Sequence, residues 1–289
     1  MSETVESLHH KIDSAAELGS VVRTMKALAA SSIAQYERAV ISLDDYYRTV
    51  ELGLVACLRR QGQVKVHRVH PKRLCAVVFG SDQGLVGQYN EVLADFVAAQ
   101  LKDNAMEKHV FVVGERIQGY LADFEVDASF AVPNSISAIT GATGHILSAI
   151  EVGASDQVYL FHNRPKSGSV YEPVMQRMLP LDEAWQGELA RQKWPTKNLP
   201  EVVGEGTLEA LIREYLFISL FRASTESLAS ENAARLNAMR RAEKNIDELL
   251  DELNQDFHRL RQTGIDEELF DVIAGYELLA QSGGIKRGA

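Results

Sequence analysis

The apolar positions in the first part of the chain fall into one repeating pattern. Val5, Leu8, Ile12, Ala15, Gly19, Val22, Lys26, Ala29, Ile33, Tyr36, Val40, Leu43, Tyr47, Val50, Leu54 and Cys57 alternate steps of three and four without a slip. That is a heptad seam, and it predicts a single helix of roughly 80 Å at about 1.5 Å per residue. Only Gly19 and Lys26 break its apolar character. The last part of the chain behaves likewise through Leu236, Met239, Glu243, Ile246, Leu250, Leu253, Phe257 and Leu260. The phase slips by one residue near Gly264 and resumes with Ile265, Leu269, Val272, Tyr276 and Leu279. A helix from about Thr207 to about Leu279 would be roughly 105 Å long.

Between these ends the period changes. Arg73 to Phe79 (RLCAVVF) reads as a buried strand, followed by a glycine-rich turn and a helix from about Gly87 to Leu101. Lys108 to Val113 predicts a second strand, Glu115 to Leu121 a short helix, Phe124 to Phe130 a third strand and Ser135 to Ile150 a helix with an apolar face. Gln157 to His162 and Val170 to Met178 predict two more strands, joined by the turn Asn163 to Gly168. Strands alternating with helices predict a largely parallel sheet with a hairpin at one edge. Pro180 to Gly206 reads as a long connector. All seven prolines lie between Pro71 and Pro200, so both ends are free to run as uninterrupted helix.

Length then selects the architecture. A central domain of this size is only some tens of ångströms across, so neither terminal seam can be buried on it along its whole length. The expected fold is α/β plus long helices: an antiparallel coiled coil of the N- and C-terminal helices with a central α/β domain. The expected segments are 1–62, 70–180, a connector 181–206, and 207–289 with a tail from Gln281. Two separate homodimerising coiled coils are the alternative.

Composition narrows the chemistry. The formal net charge of −10 argues against nucleic acid as the main partner, because phosphate contacts need a basic surface. Cys57 and Cys75 are the two cysteines, too few for a disulfide framework and consistent with a reducing compartment. The N-terminal residues lack the basic-then-apolar order of a secretory signal. The longest stretch without a charged residue, Ala128 to Ile150, is too polar and broken to span a bilayer. The eight histidines show no HExxH or comparable pair, so neither a metal nor another cofactor is expected.

Three places invite a functional reading. The turn Gly80-Ser81-Asp82-Gln83-Gly84-Leu85-Val86-Gly87 sits between strand and helix, where backbone amides can cradle a phosphate. It matches no nucleotide-binding fingerprint and has no lysine, and a tight turn whose glycines permit positive φ is the plain alternative. Lys26 occupies a seam position, where a polar group fixes register or meets a partner; snorkelling to water is the alternative. Leu18, Val21, Met25 and Leu28 make a second apolar stripe beside the seam. It calls for a further protein surface or for a third helix of the same chain. Glu231 and Arg235, four apart, suit a solvated helix pair.

These residues also carry a resemblance. Val21-Val-Arg-Thr-Met-Lys-Ala-Leu-Ala-Ala30, Gly80-Ser-Asp-Gln-Gly-Leu-Val-Gly-Gln-Tyr-Asn90, and Ser230-Glu-Asn-Ala-Ala-Arg-Leu-Asn-Ala-Met239 with Asn245 and Arg261-Gln262 resemble, in order, three blocks of the gamma subunit of F-type ATP synthases. The wording of the first block is closest to the alternative, sodium-type branch. The resemblance implies a central Rossmann-like domain as foot and a coiled coil entering a ring of three alpha and three beta subunits. It implies further contacts with the epsilon subunit and the c-ring, and so with the cytoplasmic face of the bacterial membrane only through that ring. Catalysis would belong to the beta subunits. It assigns Met25, Lys26, Glu231, Arg235, Gln262 and Asp266 to the alpha/beta ring, and Ser81, Asp82, Gly84, Leu85 and Gly87 to the foot. On this view, reversing Arg235 to Glu should impair coupling more than folding. The chain departs from the family at Val86 (often Cys), Gln88-Tyr89 (commonly Gly-Leu), Thr263 (usually Ala) and Asp266 (often Thr). A nucleotide-binding α/β enzyme with coiled-coil arms and a homodimeric coiled-coil scaffold are the competing functions.

Overall fold

The computed structural model describes residues 4–61, 72–102, 104–153, 156–166, 170–181, 183–191, 194 and 206–283. Most of the expected connector and the last six residues of the tail lie outside them. Two continuous helices, α1 (Val5–Gln61) and α6 (Thr207–Gly283), form the ends as their seams predict. The contacts divide into two compact units, residues 1–26 with 239–289, and residues 27–238.

In the first unit α1 and α6 run antiparallel. Leu8, Ala15 and Val22 are buried, as are Met239 and Ile246. Gly19, the seam's glycine, faces Ile246: a Cβ there would lie 3.4 Å from Ile246 Cγ2, an ordinary contact distance. His9 meets Phe257 edge-on at 6.1 Å. That register puts the first turn of α1 level with about Arg261, so α6 outruns its partner. Ile265, Leu269, Phe270, Val272, Ile273 and Tyr276 are accordingly 46–76% exposed. The apolar pattern that resumes beyond Gly264 is there, but nothing among the described residues of this unit covers it.

The second unit is a three-layer α/β structure. β1 (Arg73–Phe79), β2 (Glu107–Val113), β3 (Val126–Phe130), β4 (Gln157–Lys166) and β5 (Val170–Leu179) form one sheet in the order β3-β2-β1-β4-β5. The first four are parallel and β5 is antiparallel to β4. One face packs under α2 (Tyr89–Leu101) and α3 (Glu115–Gln118), through Leu93, Val97 and Ile117. The other packs under α4 (Ile136–Gly153) and α6, through Ile146, Leu220 and Ala223. Because β1 is covered on both faces, its run from Leu74 to Phe79 is continuously apolar and buried rather than alternating. Within this unit α1 and α6 are again antiparallel: Asp44 pairs with Arg222, Tyr46 with Glu214, and Gly53 lies under Leu211.

Several boundaries move. α2 begins at Tyr89 because Gly87 takes a left-handed φ of 61°. β4 continues through Lys166, so Asn163 to Lys166 of the expected turn are strand, and the rest of it lies outside the described residues. The connector contains a further helix, α5 (Glu183–Arg191), whose Trp185 and Leu189 pack with Leu54, Leu58 and Tyr215.

Candidate partner-contact sites

Two polar exceptions in the coiled-coil seam prove to face each other. Lys26 Nζ donates to Glu243 Oε2, with both side chains partly buried and Met25 half-buried alongside. Leu18, Val21 and Leu28 are each more than half exposed, so the second stripe is an open surface. Lys26→Ala should leave Glu243 unpaired in an apolar seam and cost about 1 kcal/mol, whereas Lys26→Leu with Glu243→Leu should match or exceed the parent. Thermal unfolding checks this, and a double variant no more stable than the single would refute it.

Glu231 and Arg235 are not the solvated pair that their spacing suggests. Their side chains are 7% and 12% exposed, and Arg235 Nη2 donates to Glu231 Oε1 at 2.6 Å. Every residue from Ala223 to Ala234 is buried. The pair borders a polar pocket of about 210 Å³, shared with Tyr36, Asp82, Asn134 and Asn232. Burial raises the Glu231 carboxyl, Arg235 pulls it down, and nearby Asp82 pushes it up again. Arg235 Nε is buried without an acceptor.

The Gly80 to Gly87 turn is braced by its own side chains. Ser81 is fully buried; its N–H donates to Asn90 Oδ1 and its hydroxyl to the Gln83 carbonyl. Asp82 accepts from Glu115 N–H at 2.9 Å and from Val132 N–H at 2.8 Å. Asp82 thereby ties the turn to the segments that follow β2 and β3. Of the turn's glycines only Gly87 has positive φ, and the other left-handed residue is Leu85, at 62°. Gly84, Leu85 and Gly87 are exposed. The structure thus brings Asp82 to the same pocket as Glu231 and Arg235. Gln262 and Asp266 lie apart, exposed on α6 beyond the start of α1.

Sequence reading passed over a buried ionic network. Glu226 Oε2 accepts from His162 Nε2 at 2.8 Å and from Arg164 Nε at 3.1 Å, and its Oε1 accepts from Arg222 Nε at 2.8 Å. Arg222 also pairs with Asp44 at 3.2 Å and lies over the Tyr47 ring. The available signal was Arg222 four residues before Glu226 within a run of small polar residues. Burial opposes ionisation of Glu226, but its three donors together win and hold its carboxyl at about 2 instead of 4.5. Burial lowers the His162 imidazole below 6.5, against the pull of Glu226.

Both groups bind fewer protons folded than unfolded, so both contributions are lost as pH falls. Stability should decline first below about 6.5, as His162 protonates in the unfolded chain, and again from about 4.5 towards 2, where Glu226 alone is worth about 3 kcal/mol. Glu231, raised, offsets part of the second step. Urea midpoints against pH test this; His162→Gln should flatten the upper arm, and an unchanged profile would refute the assignment.

Among the described residues no group of His, Cys, Asp and Glu is arranged to hold a metal ion, and no helix is long and apolar enough to cross a membrane. A family profile described as ATP synthase matches residues 4–279. An ATP synthase gamma chain of Desulforudis audaxviator (strain MP104C) is 28% identical over 288 residues, covering 94% of this chain and 97% of its own length. That of Pasteurella multocida (strain Pm70) is 26% identical over 286 residues, covering 93% and 97%. In fold, the chain is similar to one from the rotor of the Euglena gracilis mitochondrial ATP synthase, with a TM-score of 0.67 at 14% identity over 90% of this chain and 98% of that one. A chain of the central stalk and c-ring structure of the Tetrahymena thermophila mitochondrial enzyme gives 0.56 at 23% identity, over 77% and 99%. The profile takes in α1, the sheet and nearly all of α6, and the curated relatives match over most of both chains: the chain belongs to the ATP synthase gamma family.

Proposed function

We propose that this chain is the central shaft of a rotary ATP synthase, turning inside a ring of three alpha and three beta subunits with its foot on the epsilon subunit and the c-ring. The observation that carries this reading is the end of α6 beyond Arg261. Its exposed apolar residues spread over a wider arc than one companion helix covers, and a ring of subunits encloses such a surface from all sides. Ion flow through the c-ring turns the foot, and the asymmetric shaft carries the catalytic sites on the beta subunits through different conformations. This chain does no chemistry on ATP itself. It lies at the cytoplasmic face of the bacterial membrane and reaches that membrane only through the c-ring.

Met25, Lys26, Glu231, Arg235, Gln262 and Asp266 are the proposed contacts with the ring. Polar groups on a mostly apolar shaft create resting angles, because each orientation either satisfies them or leaves them unpaired. Gly84, Leu85 and Gly87 supply the exposed part of the foot contact, and Ser81 and Asp82 hold their loop in shape. The first helix's wording favours the sodium-type branch.

Co-expression with alpha and beta subunits tests the reading. The expected product holds one copy of this chain per three alpha and three beta subunits and hydrolyses ATP. A stable homodimer that ignores those subunits, or tight nucleotide binding by the isolated chain, would overturn it.

A further inference from the structure

The contact between α6 and the sheet contains far more polar chemistry than packing requires. Leu216, Leu220 and Ala223 of α6 already pack against the sheet core. The hydrophobic driving force behind such contact has no preferred direction, so its resistance to sliding comes from side-chain interdigitation alone. The next turns of the same helix are built differently.

Glu226 is held from two sides. His162 and Arg164 of β4 donate to one carboxylate oxygen and Arg222 of α6 to the other, while Arg222 reaches Asp44 of α1. One residue on, Ser227 Oγ donates to the Phe79 carbonyl of β1 at 3.2 Å, and Tyr89 Oη of α2 lies 2.9 Å from the Ser227 carbonyl oxygen. One turn further, Ser230 Oγ donates to the Asn163 carbonyl of β4 at 2.9 Å, and Asn163 Nδ2 donates to the Tyr89 carbonyl at 3.2 Å. A single stretch of α6 is thereby fastened to two strands, to α2 and, through Arg222, to α1. A buried charge cluster is a poor source of stability, since an apolar replacement of similar volume is often neutral or better. Its physical gain is directional: these bonds weaken steeply with displacement and misalignment, so they resist sliding and twisting.

We propose that the face of α6 from Glu226 to Ser230 is a torque-transmitting joint, keying the helix to the sheet so that torque applied at the sheet reaches the helix without slip. Glu226, Ser227 and Ser230 are positioning residues: they touch neither nucleotide nor transported ion, and they keep the angle between sheet and helix fixed under load. The inference rests on the rotor reading above.

The test uses the complete synthase in sealed membrane vesicles, scored per assembled complex for ATP hydrolysis and for ions moved per ATP. Glu226→Met with His162→Leu keeps volume and removes the charge-assisted bonds. Ser227→Ala with Ser230→Ala removes only two hydroxyls and serves if the first pair fails to fold. The expected result is hydrolysis within about twofold of the parent, with the pumping ratio reduced at least about threefold. A merely structural role would lower the amount of complex and leave that ratio unchanged. Variants that assemble and pump like the parent overturn the joint. A parent chain that fails to join alpha and beta subunits overturns the rotor reading instead, so the two failures are distinguishable.

Discussion

Alanine at Gly114 should destabilise the sheet-containing unit by about 4 kcal/mol, the sum of overpacking and a φ that side chains rarely adopt. Gly114 has φ of 111°. An added Cβ would lie 2.8 Å from Ser81 N and 2.9 Å from the Gly80 carbonyl carbon. Both neighbours are backbone, fixed by Gly80 N–H donating to the Val113 carbonyl at 2.7 Å and Arg116 N–H to the Ser81 carbonyl at 2.9 Å, so neither yields. The loop that presents Gly84 and Leu85 should distort with them. Gly84→Ala is the matched control: nothing lies within 4 Å of its added carbon, and the change should stay within about 0.5 kcal/mol. Urea unfolding of the two variants checks the contrast; equal midpoints would show that the crossing of Gly80 and Gly114 is looser than described.

Reversing Arg235 to Glu should cost about 4 kcal/mol, because it breaks a buried pair and replaces it with two like charges. The sequence expectation put the damage in coupling before folding, and it assumed a solvated pair. With Glu231 at 7% exposure and Asp82 on the same pocket, the reversal crowds carboxylates together where burial leaves them little solvation. Arg235→Lys, which keeps the charge and loses the planar fork, is the better probe of a partner contact. Thermal unfolding of both variants, read before any activity, decides: a charge reversal as stable as the parent would contradict the burial argument.

The two long helices and most of the sheet were legible because their signals are periodic. Leu8, Ala15, Val22, Ala29, Tyr36, Val50, Leu54 and Cys57 were all read as seam positions, and all are buried. What periodicity does not carry is register. Sliding one helix by a heptad lays the seam back on itself, so the pattern alone left open where α6 passes the start of α1. The particular contact that fixes it is Lys26 with Glu243, and Glu243 had already appeared in the seam as an unremarked exception. Burial of Glu231, Arg235 and Glu226 was hidden for a related reason. Spacing shows which side chains share a helix face, whereas exposure depends on what the sheet and its loops lay over that face. Asp82 shows the same limit: its place in a loop invited a ligand, and its actual partners, Glu115 and Val132, are far off in sequence.

The unaccompanied end of α6 has a thermodynamic consequence. In proteins most helical stability comes from packing an apolar face, and past Arg261 nothing among the described residues buries that of α6. Taken alone, that end should exchange its amide hydrogens far faster than the stretch beside α1, and its exposed side chains should draw copies together at high concentration. Enclosure by other subunits would slow the exchange and remove the stickiness at once. On that expectation, how firmly the final turns hold together depends on the assembled machine more than on the chain's own packing.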